Sequence, residues 1–292
     1  MRHIASSDNS SAFLTAEFDN YVYAWDICSF TSISKFETVL EYGGDRLAIS
    51  DSGRFCVAAA YNSEGICMYE IATGSIIWCR KDINNIQMVK YGVDGDVLFI
   101  GADEKYLTIL DSTTGKVIDK IDRVTNIYQN RYGQDDCFLK GKTKIEFGTK
   151  KIVSPTFAFL DVAPTDSGIA TSAVGSVLRF TNYYGEKIWE VKPGEGKHFT
   201  QLYYTQAYGI LYAILYAYKD HSGAIYAVWG IDTKNGLVVF KYDLPENAVA
   251  FGFAACGKKL ICSSGEIYTL SKNVPVLANK IEWDDNGMPA IS

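Results

Sequence analysis

"YEIATGSIIWCRK", residues 69–81, runs from an apolar stretch through a polar pair and a glycine into a second apolar stretch with Trp78 near its middle. Related phrases return as "LDSTTGKVIDKID" (110–122), "TNYYGEKIWEVK" (181–192) and "GIDTKNGLVVFKY" (230–242). Each reads as strand, tight turn, strand, because Gly and Asn supply the left-handed backbone that hairpin turns require. A phrase that recurs along one chain points to a repeat architecture.

Working outward, "RHIASSDNSSAFLTAEFDNYVYAWDI" (2–27) lines up with "DRLAISDSGRFCVAAAYNSEGICMYEI" (45–71). Both read as a short strand, an Asp-containing turn, a mostly apolar strand, a small polar turn, and a third strand ending on an acid before Ile. Further starts fall near Ile86, Thr125, Phe157, Phe199 and Ala248, giving seven units of about 40 residues, the length of a four-stranded propeller blade. Turns at "DSG" (51–53), "VDG" (93–95), "TDSG" (165–168) and "KNG" (234–236) mark the boundaries. The fourth unit is short and the sixth long. No window carries helical periodicity with caps. The expectation is an all-β chain, one β-propeller over residues 1–292, with seven four-stranded blades and six or eight as alternatives.

The pattern D/E-x-x-T-G-x-x-h-W, where h is apolar, resembles the blade signature of quinoprotein-like and WD-repeat-like propellers along essentially the whole chain. The Gly-His dipeptides of WD repeats are missing, and "AWDI" (24–27) is the only Trp-Asp at the end of an expected third strand. The chain thus resembles a divergent propeller without the Asp-His-Ser/Thr-Trp hydrogen-bond network of that family.

Composition fits a packed β protein. Hydrophobic residues make up 48% of the 292 and aromatics 14%, including 20 Tyr, and rings suit a pleated surface. The longest apolar run, "ILYAILYAY" (210–218), is shorter than a membrane helix, and "MRHIASSDNSSAFLTAEF" lacks the apolar centre of a secretory signal. A soluble cytoplasmic protein is expected. Seven cysteines form no C-x-x-C pair, and their placement in apolar runs reads as buried thiols in a reducing compartment. The net charge of -6 argues against direct nucleic-acid binding and favours a basic partner.

Catalytic chemistry has little to stand on. His198 and His221, in expected loops of adjacent units, read as solvated side chains, and no two-histidine metal spacing occurs. "DTKNG" (232–236) and "DGD" (94–96) lack the register and terminal Glu of a calcium loop. "GEGK" (194–197) lacks the phosphate-loop spacing. Pyrroloquinoline-quinone dehydrogenases carry a neighbouring-cysteine disulfide, a calcium site and an Asp base; sialidase-like propellers carry S-x-D-x-G-x-T-W turns. None of these is visible in the sequence, and no cofactor or metal is expected.

Propellers bind through the loops collected on one face. On the usual threading these are the connections from each outer strand to the next inner strand and from second to third strands. The candidate partner-binding residues there are Phe18, Asp19, Glu41, Tyr42, Asp45, Glu64, Asp82, Asp103, Glu104, Asp122, Glu195, Tyr218, Asp220 and Glu246. Acids and rings together suit a basic protein, with charge raising the on-rate and buried rings holding the complex; the plain alternative is that these loops are acidic because the whole chain is. The opposite face, made of T-G hairpins and Asp-Ser-Gly turns, reads as structural.

Size, acidity and divergence resemble propeller-type immunity proteins that neutralise delivered bacterial toxins, including those of contact-dependent growth inhibition. That resemblance implies a monomer whose partner is a basic toxin domain, with a nuclease as the expected case. An adaptor holding several protein partners and a small-ligand or quinoprotein-like enzyme are the alternatives. Ile281 and Trp283 are expected to complete the last outer strand and close the ring. Deleting residues 279–292 is then expected to lower the thermal unfolding temperature sharply; an unchanged transition overturns this closure.

Overall fold

The computed structural model describes residues 3–7, 10–16, 20–40, 46–60, 64–92, 94–101, 106–128, 137–141, 144–147, 150–153, 158–173, 177–219, 223–245, 250–254, 259–262 and 266–280. Among them there is no helix. The strands form seven four-stranded sheets, and in each the strands follow one another in chain order.

The first sheet contains β1 (His3–Ser6), β2 (Ala12–Ala16), β3 (Tyr21–Asp26) and β4 (Ser32–Glu37). The second contains β5 (Arg46–Ile49), β6 (Phe55–Ala59), β7 (Glu64–Glu70) and β8 (Ile76–Asn84), and the third β9 (Ile86–Tyr91), β10 (Val97–Gly101), β11 (Tyr106–Leu110) and β12 (Val117–Asp122). The fourth is built of short strands, β13 (Val124–Tyr128), β14 (Cys137–Lys140), β15 (Lys144–Phe147) and β16 (Lys150–Val153). In the fifth are β17 (Phe159–Pro164), β18 (Gly168–Ala173), β19 (Val177–Asn182) and β20 (Lys187–Val191). The sixth has the longest strands, β21 (Lys197–Thr205), β22 (Ile210–Lys219) and β23 (Gly223–Asp232), followed by β24 (Val238–Asp243). The last comprises β25 (Ala250–Ala254), β26 (Lys259–Cys262), β27 (Glu266–Thr269) and β28 (Val276–Lys280). The inner strands β9, β13, β17, β21 and β25 begin within two residues of the starts read from the sequence.

The chain divides into two compact units, Met1–Asn126 with Ala254–Lys259 and Asn279–Ser292, and Ile127–Phe253 with Leu260–Ala278. In the first, inner strand β5 lies beside β1 and beside β9, so the sheets succeed one another as propeller blades do. One seam buries Leu14, Phe36, Cys56 and Tyr69, the next Val57, Met68, Ile86 and Phe99. The second unit repeats the plan: β21 lies beside β17, with Phe180, Trp189, Leu211 and Trp229 in one seam and Tyr212, Leu260 and Tyr268 in another. Middle strands covered on both faces read as near-continuous apolar runs, such as the wholly buried "AFLTA" of β2. Outer strands alternate instead, as β4 does.

The recurring phrase has a specific structure. In four sheets the amide that opens the hairpin between third and fourth strands donates 2.9 Å to the carbonyl five positions on: Asp26 to Thr31, Glu70 to Ser75, Asp111 to Lys116, and Asp232 to Leu237. The residue before the closing one has left-handed φ, 69° at Gly74, 67° at Gly115 and 73° at Gly236, with Phe30 taking 58° in the first sheet. The opening carboxylates accept from amides inside the turn, Asp111 from Thr113 and Thr114, Asp232 from Lys234.

These glycines also receive a ring from the preceding sheet. A Cβ on Gly115 would stand 2.7 Å from the Trp78 ring, on Gly236 2.8 Å from Trp189, and on Gly74 2.6 Å from Phe36. Each indole then donates to a carbonyl of the hairpin it covers, Trp78 to Ser112 at 2.8 Å and Trp189 to Thr233 at 2.7 Å. The first seam splits the two roles between side chains, with Phe36 supplying the ring and Ser34 donating to the Ile71 carbonyl.

The cysteines depart from expectation. Cys56, Cys137 and Cys262 are buried thiols, but Cys28 is exposed, and Cys67 and Cys79, opposite each other on β7 and β8, form a disulfide. Cross-strand pairing places two residues twelve apart in sequence side by side, which spacing alone does not reveal. Cys256, Ile281 and Trp283 lie outside the described residues.

Trp189→Ala is expected to cost about 3–5 kcal/mol in urea unfolding, the range for a buried ring, and Trp189→Phe about 1 kcal/mol for the lost N–H donor. Gly236→Ala should also destabilise, since it meets both the left-handed φ and the Trp189 ring. Equal stability of all three variants and the wild type would remove the ring-on-glycine contact as the seam's basis.

Candidate partner-binding surface

Connections between sheets are tighter than the sequence suggests. The segments "DINN" (82–85) and "DRVT" (122–125), read as loops, are mostly strand: β8 continues through Asn84 and β9 starts at Ile86, while β12 ends at Asp122 and β13 starts at Val124. A single left-handed residue joins each pair, Asn85 at φ 52° and Arg123 at φ 60°. Buried Ile83, Ile86 and Val124 anchor the strand ends on either side. Polar residues inside a strand end look like loop residues in sequence, which accounts for the misreading.

Asp82 therefore sits on a strand, exposed, with its carboxylate held by the guanidinium of Arg80 two residues earlier, Nε to Oδ1 at 3.0 Å. That hydrogen bond holds the Asp82 carboxyl below the usual carboxylate range, with burial opposing. Arg80 also donates to the Gly115 carbonyl at 3.2 Å, so the acid is tied to the seam. Asp122 ends β12 and pairs with Arg123 at 3.3 Å. Exposed pairs of this kind contribute little to stability, but each cancels the local charge that counting its acid alone implies.

Glu195 is different. It lies exposed in the open turn between β20 and β21, flanked by Gly194 and Gly196 with φ of 107° and 69°. Lys197 and His198, expected in the same loop, open β21, and His198 pairs with Tyr216 across the ladder. Glu64 and Tyr218 are strand residues rather than loop residues: Glu64 opens β7 and pairs with Asn84, and Tyr218 pairs with Ala224. Phe18, Asp19, Glu41, Tyr42, Asp45, Asp103, Glu104, Asp220 and Glu246 lie outside the described residues, as does His221.

Sequence reasoning missed the far end of the sixth sheet. Its strands β22 and β23 each run ten residues, whereas β24 pairs with β23 only from Ala227 onward, with one further bond from the Leu244 amide to the Tyr226 carbonyl at 2.9 Å. Among the described residues, Gly223–Ile225 has no ladder partner on β24. Tyr216 and Tyr226, directly opposite on this ladder, are half-buried and meet edge to face, centroids 5.5 Å apart, and Tyr226 also packs against the buried cluster of Tyr212 and Tyr268. Part of the signal was available: "ILYAILYAYK" is a ten-residue run with no Gly, Pro, Asn or Asp inside it.

The chain matches no protein-family model and no curated protein. Among the described residues no three His, Cys, Asp or Glu side chains group as metal ligands, and no helix is long and apolar enough to cross a membrane. Burial pushes the thiols of Cys56 and Cys262 up, the latter to about 12, which keeps both protonated and inert.

The Asp82 carboxyl has its pKa lowered in the folded chain, so its contribution is present above the ordinary carboxylate value and lost as pH falls through the lowered one. Asp82→Asn is expected to flatten the acid limb of stability below about pH 4, and Arg80→Gln to return the Asp82 titration to the ordinary range. Carboxyl NMR titration reads the second effect directly; an unshifted Asp82 midpoint in the wild type would dissolve the pair.

Proposed function

We propose that the chain is a seven-bladed ring propeller that binds a protein and performs no catalysis. The observation that carries this reading is the difference between the two ends of its sheets. At the hairpin end, four turns share one backbone hydrogen-bond scheme, and three of them spend their carboxylates on their own amides, while Glu70 is held by Arg54 and the Thr73 hydroxyl. At the other end the chemistry varies from sheet to sheet: the paired Asp82 and Asp122, the open Glu195, and the half-buried pair of Tyr216 and Tyr226. Uniform turns build a scaffold, and variation presented on a scaffold is what a specific partner reads.

Within the first unit, Phe30 departs from the glycine found at the equivalent turn positions. A bulky residue with left-handed φ is unusual, and its ring faces Lys259 Nζ at 5.3 Å, at the head of β26 in the last sheet. That contact supplies a reason for the exception to glycine at this turn position.

The finer reading is that the partner is a basic toxin domain, a nuclease being the expected case, which this monomeric, cytoplasmic chain neutralises by covering its substrate surface. A net charge of -6 favours encounter with a basic surface, and half-buried rings supply anchoring area once charge has aligned the two proteins. The arginines beside Asp82 and Asp122 shift the weight of recognition toward Glu195 and the tyrosine pair.

Affinity capture from the native cells at low and high salt tests this, comparing the wild type with Glu195→Lys/Tyr216→Ala/Tyr226→Ala. One stoichiometric basic protein, retained by the wild type, released by the triple variant and losing its nuclease activity when bound, is the expected result. Several substoichiometric proteins insensitive to salt and to the variant would overturn the toxin reading.

A further inference from the structure

The disulfide between Cys67 and Cys79 occupies a consequential place. Among the described residues strand β8 is the edge of its sheet and has β7 as its only ladder neighbour. It nevertheless carries the side chains that dock the second sheet onto the third. Trp78 lies on Gly115 and donates to Ser112, and Arg80 donates to the Gly115 carbonyl. Cys79 stands between these two residues, directly opposite Cys67. The covalent bond therefore ties to the sheet the segment that grips the next hairpin.

The two sulfurs differ in access. Cys67 is fully buried, whereas Cys79 is half-buried on the outer strand. Cys56, on β6 opposite Tyr69, shares the same buried cluster, but burial keeps its thiol protonated, so it is a poor internal nucleophile.

We propose that the Cys67–Cys79 bond is a redox-sensitive latch on the seam between the second and third sheets, opened by an external dithiol at Cys79. A thiolate of the dithiol attacks Cys79 Sγ, forming a mixed disulfide and releasing Cys67 as a thiolate that takes up a proton. The second thiol of the reagent then displaces Cys79, which also takes up a proton, and leaves as a cyclic disulfide. Two electrons pass from dithiol to protein. With the latch open, ladder hydrogen bonds, the docked indole and the Arg80 bond to Gly115 hold β8 without a covalent tie, and opening of residues 76–84 becomes less costly.

Hydrogen exchange of the full chain, oxidised and after treatment with dithiothreitol, tests the latch. The expected result is exchange on the order of tenfold or more faster in residues 76–84 and 111–116 after reduction, with residues 187–191 and 233–237 of the equivalent seam in the second unit unchanged. Mass spectrometry after alkylation in denaturant should find Cys67 and Cys79 blocked before reduction and open after it. Cys67→Ala/Cys79→Ala should exchange at the reduced rate with or without reductant; should that variant not fold, Cys79→Ala alone serves, since either removes the bond. Alkylation of both residues in protein equilibrated with oxidised dithiothreitol, equal exchange in the two states, or an equal dithiothreitol response in the variant each overturns the proposal.

Discussion

An aromatic side chain lying on a glycine of the following sheet is the contact on which three of the described seams depend. Neither partner can change alone. The glycine is required by its left-handed turn and again because a Cβ would enter the ring; the indole is required to fill that space and to supply the N–H for a hairpin carbonyl. A loss of about 3–5 kcal/mol for one such ring is large against the roughly 5–15 kcal/mol that holds a folded domain. The short phrase that recurs in the sequence is thus the imprint of an interaction between repeats, not only of a turn within one. The first seam makes the same point by its departure, since Ser34 and Phe36 divide between two side chains what one tryptophan does elsewhere.

That constraint also explains why the two ends of a sheet differ in freedom. A hairpin that must accept a ring and offer a carbonyl has its backbone fixed, and its Asp or Asn is consumed by the turn's own amides. The opposite end has no such duty. There the chain passes to the next sheet through one residue, as at Asn85 and Arg123, or through five, as between Val191 and Lys197. Length and chemistry can drift at that end without disturbing a seam.

Much of the fold was legible because its signals are local. Gly at a left-handed turn position, a continuous apolar second strand and an alternating outer strand each leave a mark in a few neighbouring residues, and the starts of β9, β13, β17, β21 and β25 followed from them. The binding surface was less legible. Asp82 and Asp122 looked like free loop acids, whereas Arg80 and Arg123 stand against them; the pairing depends on where a strand ends, which polar residues do not announce. The disulfide escaped for a related reason, because Cys67 and Cys79 meet only once the β7–β8 register is known. The length of the sixth sheet was partly legible, since the ten residues of β22 carry no turn signal.

Charge counted along a sequence therefore overstates what a partner meets. An acid two residues from an arginine on one strand lies on the same side of it, so the pair presents a dipole rather than a charge, screened further at physiological salt. An acid between two glycines, such as Glu195, has no strand to hold a cation beside it and presents its charge in full. The sixth sheet brings both kinds of group onto one element, with the exposed Glu195 in the turn leading into its first strand and the half-buried Tyr216 and Tyr226 facing each other across its second and third.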